Sequence, residues 1–340
     1  MSAHQLPGLD LDRLAAWLPG AAPDAGAELG AELIAGGKSN LTYVLTDGTH
    51  EWILRRPPLG HVLATAHDMG REFRVMSALQ GTAVPVPRTD AFCEDTDVLG
   101  APFYLMERCA GTPYRDAAEL VELGPERTRA ISVELVDVLT ALHRIDPAEV
   151  GLADFGRPAG YLGRQVARWK KQLEASYTRD LPAADELHAL LAADVPPESA
   201  TGIVHGDYRL DNVLIDADDR ATAVLDWEMA TLGDPLSDLA LMLTYHRLGA
   251  GAAGAVVTDA ALAPGFLGED EIVAAYAAGS DRDLSRFGWY LGLAAFKLAA
   301  ILEGIHCRHL AGQTVGEGFA GIGEAIHPLL DAGLSAIKEN

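Results

Sequence analysis

The sequence is short of cysteine, of basic residues and of uninterrupted apolar runs. Its three cysteines, Cys93, Cys109 and Cys307, lie far apart with no paired spacing, which argues against a disulfide framework or a zinc site. Lys and Arg number 26 against 49 Asp and Glu, a formal charge of −23. So acidic a surface repels DNA, RNA and anionic lipid, and neither a nucleic acid nor a membrane is expected as a partner. The longest apolar stretch, Trp289 to Ile305, carries Lys297 and Glu303 and reads as a buried helix rather than a span. The N-terminal MSAHQLPGLDLDRLAAWL has no basic start and no continuous apolar run, so no signal peptide is expected and a cytoplasmic location is. Present in quantity is core-forming material: 49% of the 340 residues are hydrophobic and 22% charged, enough for two domains.

Period-two and apolar runs predict strands at Glu32–Ile34, Leu41–Leu45 and Trp52–Arg55, after a short helix over residues 9–18. Asp47-Gly48 between the second and third is a hairpin signal. GREFRVMSAL from Gly70 has helical spacing, with Phe73, Met76 and Leu79 on one face. Two further strands follow, around Thr89–Cys93 and Phe103–Arg108. Beyond Gly111 the pattern becomes helical, with Pro125 to Arg144 and Tyr161 to Tyr177 as clear stretches. A short β-rich insert interrupts it at Ile203-Val204, Val213–Ile215 and Ala223–Leu225. The expected architecture is α+β and bilobal. A small β-rich lobe would occupy residues 1–108 and a larger, mainly helical one residues 109–340.

The segment that carries chemistry is HGDYRLDN, His205 to Asn212, followed by Asp226-Trp227-Glu228. An Asp and an Asn five apart on a tight loop can serve one site. Asp207 can orient and deprotonate an attacking hydroxyl while the Asn212 amide oxygen holds a metal ion. Asp226 follows the apolar run Ala223-Val224-Leu225, which would hold its carboxylate rigidly. Hard oxygen ligands of this kind suit Mg²⁺, which keeps some water and takes its other ligands from phosphate. Each residue alone reads as a turn cap or a solvated strand end; their joint spacing does not.

HGDYRLDNVLID, LDWE and GDPLSDLA resemble the catalytic segments of the aminoglycoside phosphotransferase (APH) superfamily, within the protein-kinase-like fold, over about residues 30 to 320. More narrowly, GGKSNLTYVL, WILRRPP and YLMER are similar to the phosphotransferase domains found beside acyl-CoA dehydrogenases. The resemblance implies ATP and Mg²⁺ as cofactors, with Asp207, Asn212 and Asp226 catalytic and the last two binding metal. It also implies a phosphate-covering loop at Gly36, Gly37, Ser39 and Asn40, where glycines let backbone N–H groups approach phosphate oxygens. Arg55 stands where such folds place a phosphate-binding lysine, with Glu72 as its ion-pair partner; Arg56 is the competing candidate, on the opposite strand face. In the hinge, the Glu107 carbonyl and the Cys109 N–H would meet the adenine edge, with Met106 behind it. Asp238 would brace the catalytic loop from its helix start.

The expected activity is therefore transfer of the γ-phosphate of ATP to a hydroxyl of a small molecule, such as a hydroxyacyl-CoA or related metabolite. The alternatives are an aminoglycoside or other amino-sugar or alcohol kinase, and an inactive nucleotide-binding module. Arg209 in place of a lysine two residues after Asp207, and DWE in place of Asp-Phe-Gly, speak against a protein kinase. The basic residues Arg164, Arg168, Lys170 and Lys171 stand out in so acidic a chain and could meet a CoA phosphate; a solvated helix face is the plainer reading.

Overall fold

The computed structural model describes residues 6–22, 24–26, 28–34, 40–59, 68–249, 258–314, 319 and 321–339. The chain divides into two compact units: residues 1–110 with 222–230, and residues 111–221 with 231–340.

In the first unit, helix α1 (Leu11–Ala21) leads into strands β1 (Gly30–Leu33), β2 (Leu41–Thr46) and β3 (Glu51–Arg56). Helix α2 (Met69–Leu79), β4 (Thr89–Cys93), the short α3 (Thr96–Leu99) and β5 (Phe103–Glu107) follow. The strands form one antiparallel sheet in the order β1-β2-β3-β5-β4. The β2–β3 hairpin closes as the Asp-Gly pair predicts. Gly48 adopts φ +87, and the Asp47 carboxylate accepts from the N–H groups of Thr49 and His50 at 2.8 and 2.6 Å. Helix α1 begins two residues later than its apolar run, because Asp10 caps it by accepting from Arg13 N at 3.1 Å. It also runs through Pro19, which lies in its last turn.

Strand alternation gives the sheet two different faces. Trp52 and Leu54 join Leu14, Leu18, Tyr43, Leu45, Phe103 and Leu105 in a core against α1. Arg56, on that same side, is buried and donates to the carbonyl oxygens of Gly8 and Leu99. The other face meets α2, where Phe73 lies against Tyr104. Strand β8 (Ala221–Val224) and the 3₁₀ turn Trp227–Met229 return late in the chain to this unit. Val224 N donates to the carbonyl of Pro85 at 2.8 Å, and Arg71 to that of Ala230 at 3.1 Å.

The second unit is helical around a small β element. It contains α4 (Ala117–Leu123), α5 (Pro125–Arg144), α6 (Tyr161–Glu174), α7 (Pro182–Ala193), α8 (Leu236–Gly249), α9 (Glu269–Ala278), α10 (Phe287–Leu310) and α11 (Ile326–Lys338). Strands β6 (Gly202–Val204) and β9 (Thr231–Gly233) pair antiparallel, with Ile203 opposite Leu232, and β7 (Val213–Ile215) follows the loop between them. Helix α10 packs against α6, α7, α8 and α11. By length and composition alone it could cross a membrane, but 67% of its apolar window is buried within the protein. Of its two charged interior residues, Glu303 accepts from Thr178 N, Thr178 Oγ1 and Arg179. Lys297 donates to the carbonyl oxygen of Gly206 at 2.8 Å.

Candidate active site

The first unit assembles a polar cluster on the α2 face of its sheet. Alternation along β3 sends Arg55 to this face and Arg56 to the other, which separates the two candidate arginines. The Arg55 side chain is 12% exposed; its Nε lies 3.1 Å from Glu72 Oε2 and its Nη2 2.5 Å from Asp226 Oδ1. The Glu72 contact is an ion pair off the hydrogen-bond line, whereas the Asp226 contact is a hydrogen bond. Glu72 also accepts from Tyr104 OH at 2.8 Å and from Asn40 Nδ2 at 3.2 Å. The same Asn40 nitrogen donates to Glu228 Oε2 at 3.1 Å, and Glu228 stands 4.0 Å from Arg55. Asn40 Oδ1 is left as a buried acceptor with no hydrogen-bond partner among the described residues.

One arginine thus faces three carboxylates. Burial pulls the Arg55 guanidinium toward losing its proton, but Tyr104, Glu72 and Asp226 outweigh it and the charge is held firmly. Burial drives the Glu72 carboxyl up from 4.5 to about 7, against the pull of Arg55 and Tyr104, and Asp226 and Glu228 add to the rise. The folded chain therefore keeps a proton on Glu72 between pH 4.5 and 7 that the unfolded chain releases. Stability from this group is full below 4.5 and lost as pH rises through 7. The Tm advantage of the native protein over Glu72→Gln should accordingly shrink between pH 5 and pH 8, by on the order of 1–3 kcal/mol in stability. A difference that stays flat in calorimetry across that range rejects the assignment.

Asp226 has a backbone of its own to explain. The strand stops at Val224, earlier than the apolar run suggests, and Asp226 adopts the left-handed conformation, φ 64 and ψ 58. Aspartate tolerates this region better than most residues. The turn points the carboxylate at Arg55 instead of continuing the strand. Such strain, held in place by surrounding structure, is typical of functional positions.

The second unit holds the loop from His205 to Asn212. Asn212 Nδ2 donates to the carbonyl oxygen and to the Oδ2 of Asp207, at 2.9 and 3.2 Å. The amide is thereby turned so that its oxygen remains for another ligand. Asp238 accepts from the N–H of His205 on Oδ2, at 2.6 Å, and from that of Gly206 on Oδ1, at 2.8 Å. Burial would raise the Asp238 carboxyl, but His143, His205 and the Gly206 N–H hold it below the ordinary range. His143, itself fixed by Tyr276 OH at 2.8 Å, lies 3.4 Å from Asp238. Arg209 bridges two acids, with Nη2 3.0 Å from Asp211 and Nε 3.6 Å from Asp207, and its guanidinium lies 4.9 Å from the Tyr245 ring centroid.

The structure thus gathers Asn40, Arg55, Glu72 and Asp226 in one unit and Asp207 and Asn212 in the other. Met106 and Glu107 end β5, and Cys109 follows; the Glu107 N–H donates to the Arg88 carbonyl at 2.8 Å. Burial and the neighbouring Glu107 push the Cys109 thiol up to about 11, so it is not a reactive thiolate. Gly36, Gly37 and Ser39 lie outside the described residues. On α6, the basic residues differ in their partners. Lys170 is held by Asp185 at 2.6 Å and Glu174 at 3.5 Å, Arg164 donates to the carbonyls of Arg157 and Ala159, and Arg168 lies over the Trp169 ring. The sequence reading passed over Glu228, Tyr104, His143 and Asp234, the last of which accepts from Ser199 and from Tyr290 OH. Glu228 is the second acid of Asp-Trp-Glu, Tyr104 opens YLMER and Asp234 lies in GDPLSDLA, whereas His143 lies in no such segment.

Comparison with known proteins fits this geometry. The phosphotransferase enzyme family (APH) matches residues 30–277. "Acyl-CoA dehydrogenase family member 11" of Gallus gallus is 33% identical over 346 residues, covering 98% of this chain and 44% of its own length. This chain therefore spans less than half of that longer relative. A crystal structure from Ralstonia eutropha, of a candidate aminoglycoside phosphotransferase, superposes with a TM-score of 0.85 at 34% identity, covering 97% of this chain and 98% of that one. The aminoglycoside phosphotransferase APH(4)-Ia, solved with AMP-PNP and hygromycin B, shares the fold at a TM-score of 0.60 and 14% identity, covering 96% of this chain and 98% of its own.

Proposed function

We propose that this chain, which belongs to the phosphotransferase enzyme family, transfers the γ-phosphoryl group of ATP to a hydroxyl of a small molecule. The observation that carries this reading is the largely buried Arg55, joined at once to Glu72 and to Asp226. A cation held by a helix glutamate and a turn aspartate is what phosphate positioning requires.

The residues divide the work by their chemistry. Asp207 accepts the proton of the acceptor hydroxyl as that oxygen bonds to the γ-phosphorus and the bond to ADP breaks. Asn212 and Asp226 offer amide and carboxylate oxygens as ligands for magnesium. The donor set fits a hard cation, since it consists of oxygens and a buried Asn40 oxygen nearby in the first unit lacks a partner. Magnesium, when bound, supplies positive charge to the β- and γ-phosphates. Arg55 then exchanges its Asp226 contact for phosphate oxygens while Glu72 keeps it in place. Main-chain groups of Glu107 and Cys109 pair with the adenine edge against Met106, and Gly36 to Ser39 cover the phosphates.

For the acceptor we propose a hydroxyacyl-CoA or related acyl metabolite. Support comes from the likeness to an acyl-CoA dehydrogenase family member, 33% identical over 98% of the chain. The test is a panel of hydroxyacyl-CoAs with the hydroxyl at successive carbons, set beside kanamycin and hygromycin B, with MgATP and mass detection of phosphorylated product. A phosphorylated hydroxyacyl-CoA is the expected result. Phosphorylation of an aminoglycoside with none of any hydroxyacyl-CoA overturns the acceptor assignment, and failure to bind MgATP overturns the kinase reading.

A further inference from the structure

Lysine is out of place in the middle of a long apolar helix unless something needs its charge. Lys297 sits between the buried Phe296 and Leu298 of α10. Its Nζ donates to the carbonyl oxygen of Gly206 at 2.8 Å, and it lies 5.5 Å from the Trp169 ring centroid. The charges near it are Asp207, Asp238 and Arg168. A cavity of about 30 Å³, room for one water, adjoins it and is lined by Tyr161, Gln165 and Ser237.

The carbonyl that Lys297 holds belongs to the peptide joining Gly206 to Asp207. The N–H of that same peptide donates to His205 Nδ1 at 3.2 Å. The preceding two N–H groups, of His205 and Gly206, are taken by Asp238. The 205–206 peptide is thus held at its N–H by Asp238, and the 206–207 peptide at both edges, by the Lys297 ammonium on its carbonyl and the His205 ring nitrogen on its N–H. The link between them is Gly206 at φ +86, a conformation that a glycine adopts freely and that would otherwise be soft. The orientation of the second plane determines where the Cα–Cβ bond of Asp207 points.

We propose that Lys297 is a positioning residue for Asp207: by holding the Gly206 carbonyl it sets the direction in which the Asp207 carboxylate leaves the loop. The assignment rests on Asp207 being the base of the proposed transfer. An ångström of misplacement at such a group costs on the order of a hundredfold in rate, and a charged donor to a carbonyl is about twice as strong as a neutral one.

The test is Lys297→Met, with Lys297→Gln as a second variant that keeps a neutral donor. MgATP hydrolysis, with water as the acceptor, should lose roughly ten- to hundredfold in kcat, with KM for MgATP and affinity for AMP-PNP unchanged. Lys297→Gln should fall between Lys297→Met and the native enzyme. Amide hydrogen exchange at Gly206 and Asp207 should quicken by about tenfold or more in Lys297→Met while exchange in α5 and α10 stays constant. Native kcat and native exchange in Lys297→Met overturn the proposal. So does a parallel loss of kcat, nucleotide affinity and Tm, which marks general destabilisation. If the native enzyme neither hydrolyses MgATP nor binds AMP-PNP, the kinase reading fails by itself, and exchange at the Asp207 amide still decides the role of Lys297.

Discussion

Replacing Asp207 by asparagine should lower phosphotransfer by about three orders of magnitude while leaving nucleotide affinity near native. The side chain keeps its size, so Asn212 still finds an oxygen where Asp207 Oδ2 now sits 3.2 Å away. What is lost is the ability to take a proton from the acceptor, together with the carboxylate charge 3.6 Å from Arg209. That contact is a loose one on a quarter-exposed pair and contributes little to stability. Tm should therefore move by no more than about two degrees, and a lost rate cannot be ascribed to unfolding. The assay is single-turnover transfer from labelled ATP to whichever acceptor the panel identifies, beside AMP-PNP titration of the same preparation. Turnover at the native rate in Asp207→Asn removes the base from the mechanism. A drop in AMP-PNP affinity as large as the drop in rate would move Asp207 to the nucleotide.

The β-rich unit was legible because its strands carry both signals a strand can have. Alternation marked β2 and β3, an Asp-Gly turn joined them, and the same alternation assigned Arg55 and Arg56 to opposite faces before any contact was known. The observed partners agree: acids for Arg55, backbone carbonyls for Arg56. Element ends were less legible, because caps and special dihedrals determine them. Asp10 delays the start of α1, and the left-handed Asp226 ends a strand one residue before its apolar run does. Hydropathy carries no trace of either. The allocation of residues 222–230 to the first unit also lies outside what local pattern records, since it depends on long-range bonds such as Val224 N to the Pro85 carbonyl.

Site residues divide along similar lines. Asp207, Asn212 and Asp226 stood out by spacing, and Asp238 by its place at a helix start. Tyr104 and His143 did not, because each looks like ordinary core until the fold brings it to an acid, and Lys297 showed only as a charge interrupting an apolar run. Of the basic residues on α6, Lys170 is held by Asp185 and Glu174 and Arg164 by two backbone carbonyls, partners that a count of charges along the sequence does not record.

Asp226 should prove the residue on which magnesium dependence turns. In Asp226→Asn, AMP-PNP affinity measured with magnesium should fall tenfold or more, about 1.4 kcal/mol, while affinity without magnesium stays the same. A carboxylate ligand carries the charge that anchors the cation, whereas an amide offers only a dipole. Asn212→Ala should show the same pattern more weakly, since it removes a neutral ligand. The backbone at Asp226 requires care in choosing variants. At φ 64, alanine adds roughly 1–2 kcal/mol of conformational cost that asparagine largely avoids and glycine removes. Asp226→Gly and Asp226→Ala should therefore lose magnesium dependence to the same extent but differ in Tm, glycine being the more stable. All three changes free Arg55 from its 2.5 Å contact, and Glu72 at 3.1 Å remains to hold it. Affinity for metal-free nucleotide thus tests whether Arg55 keeps its place. A native difference between titrations with and without magnesium in Asp226→Asn would place the ion elsewhere, whatever the variant does to turnover.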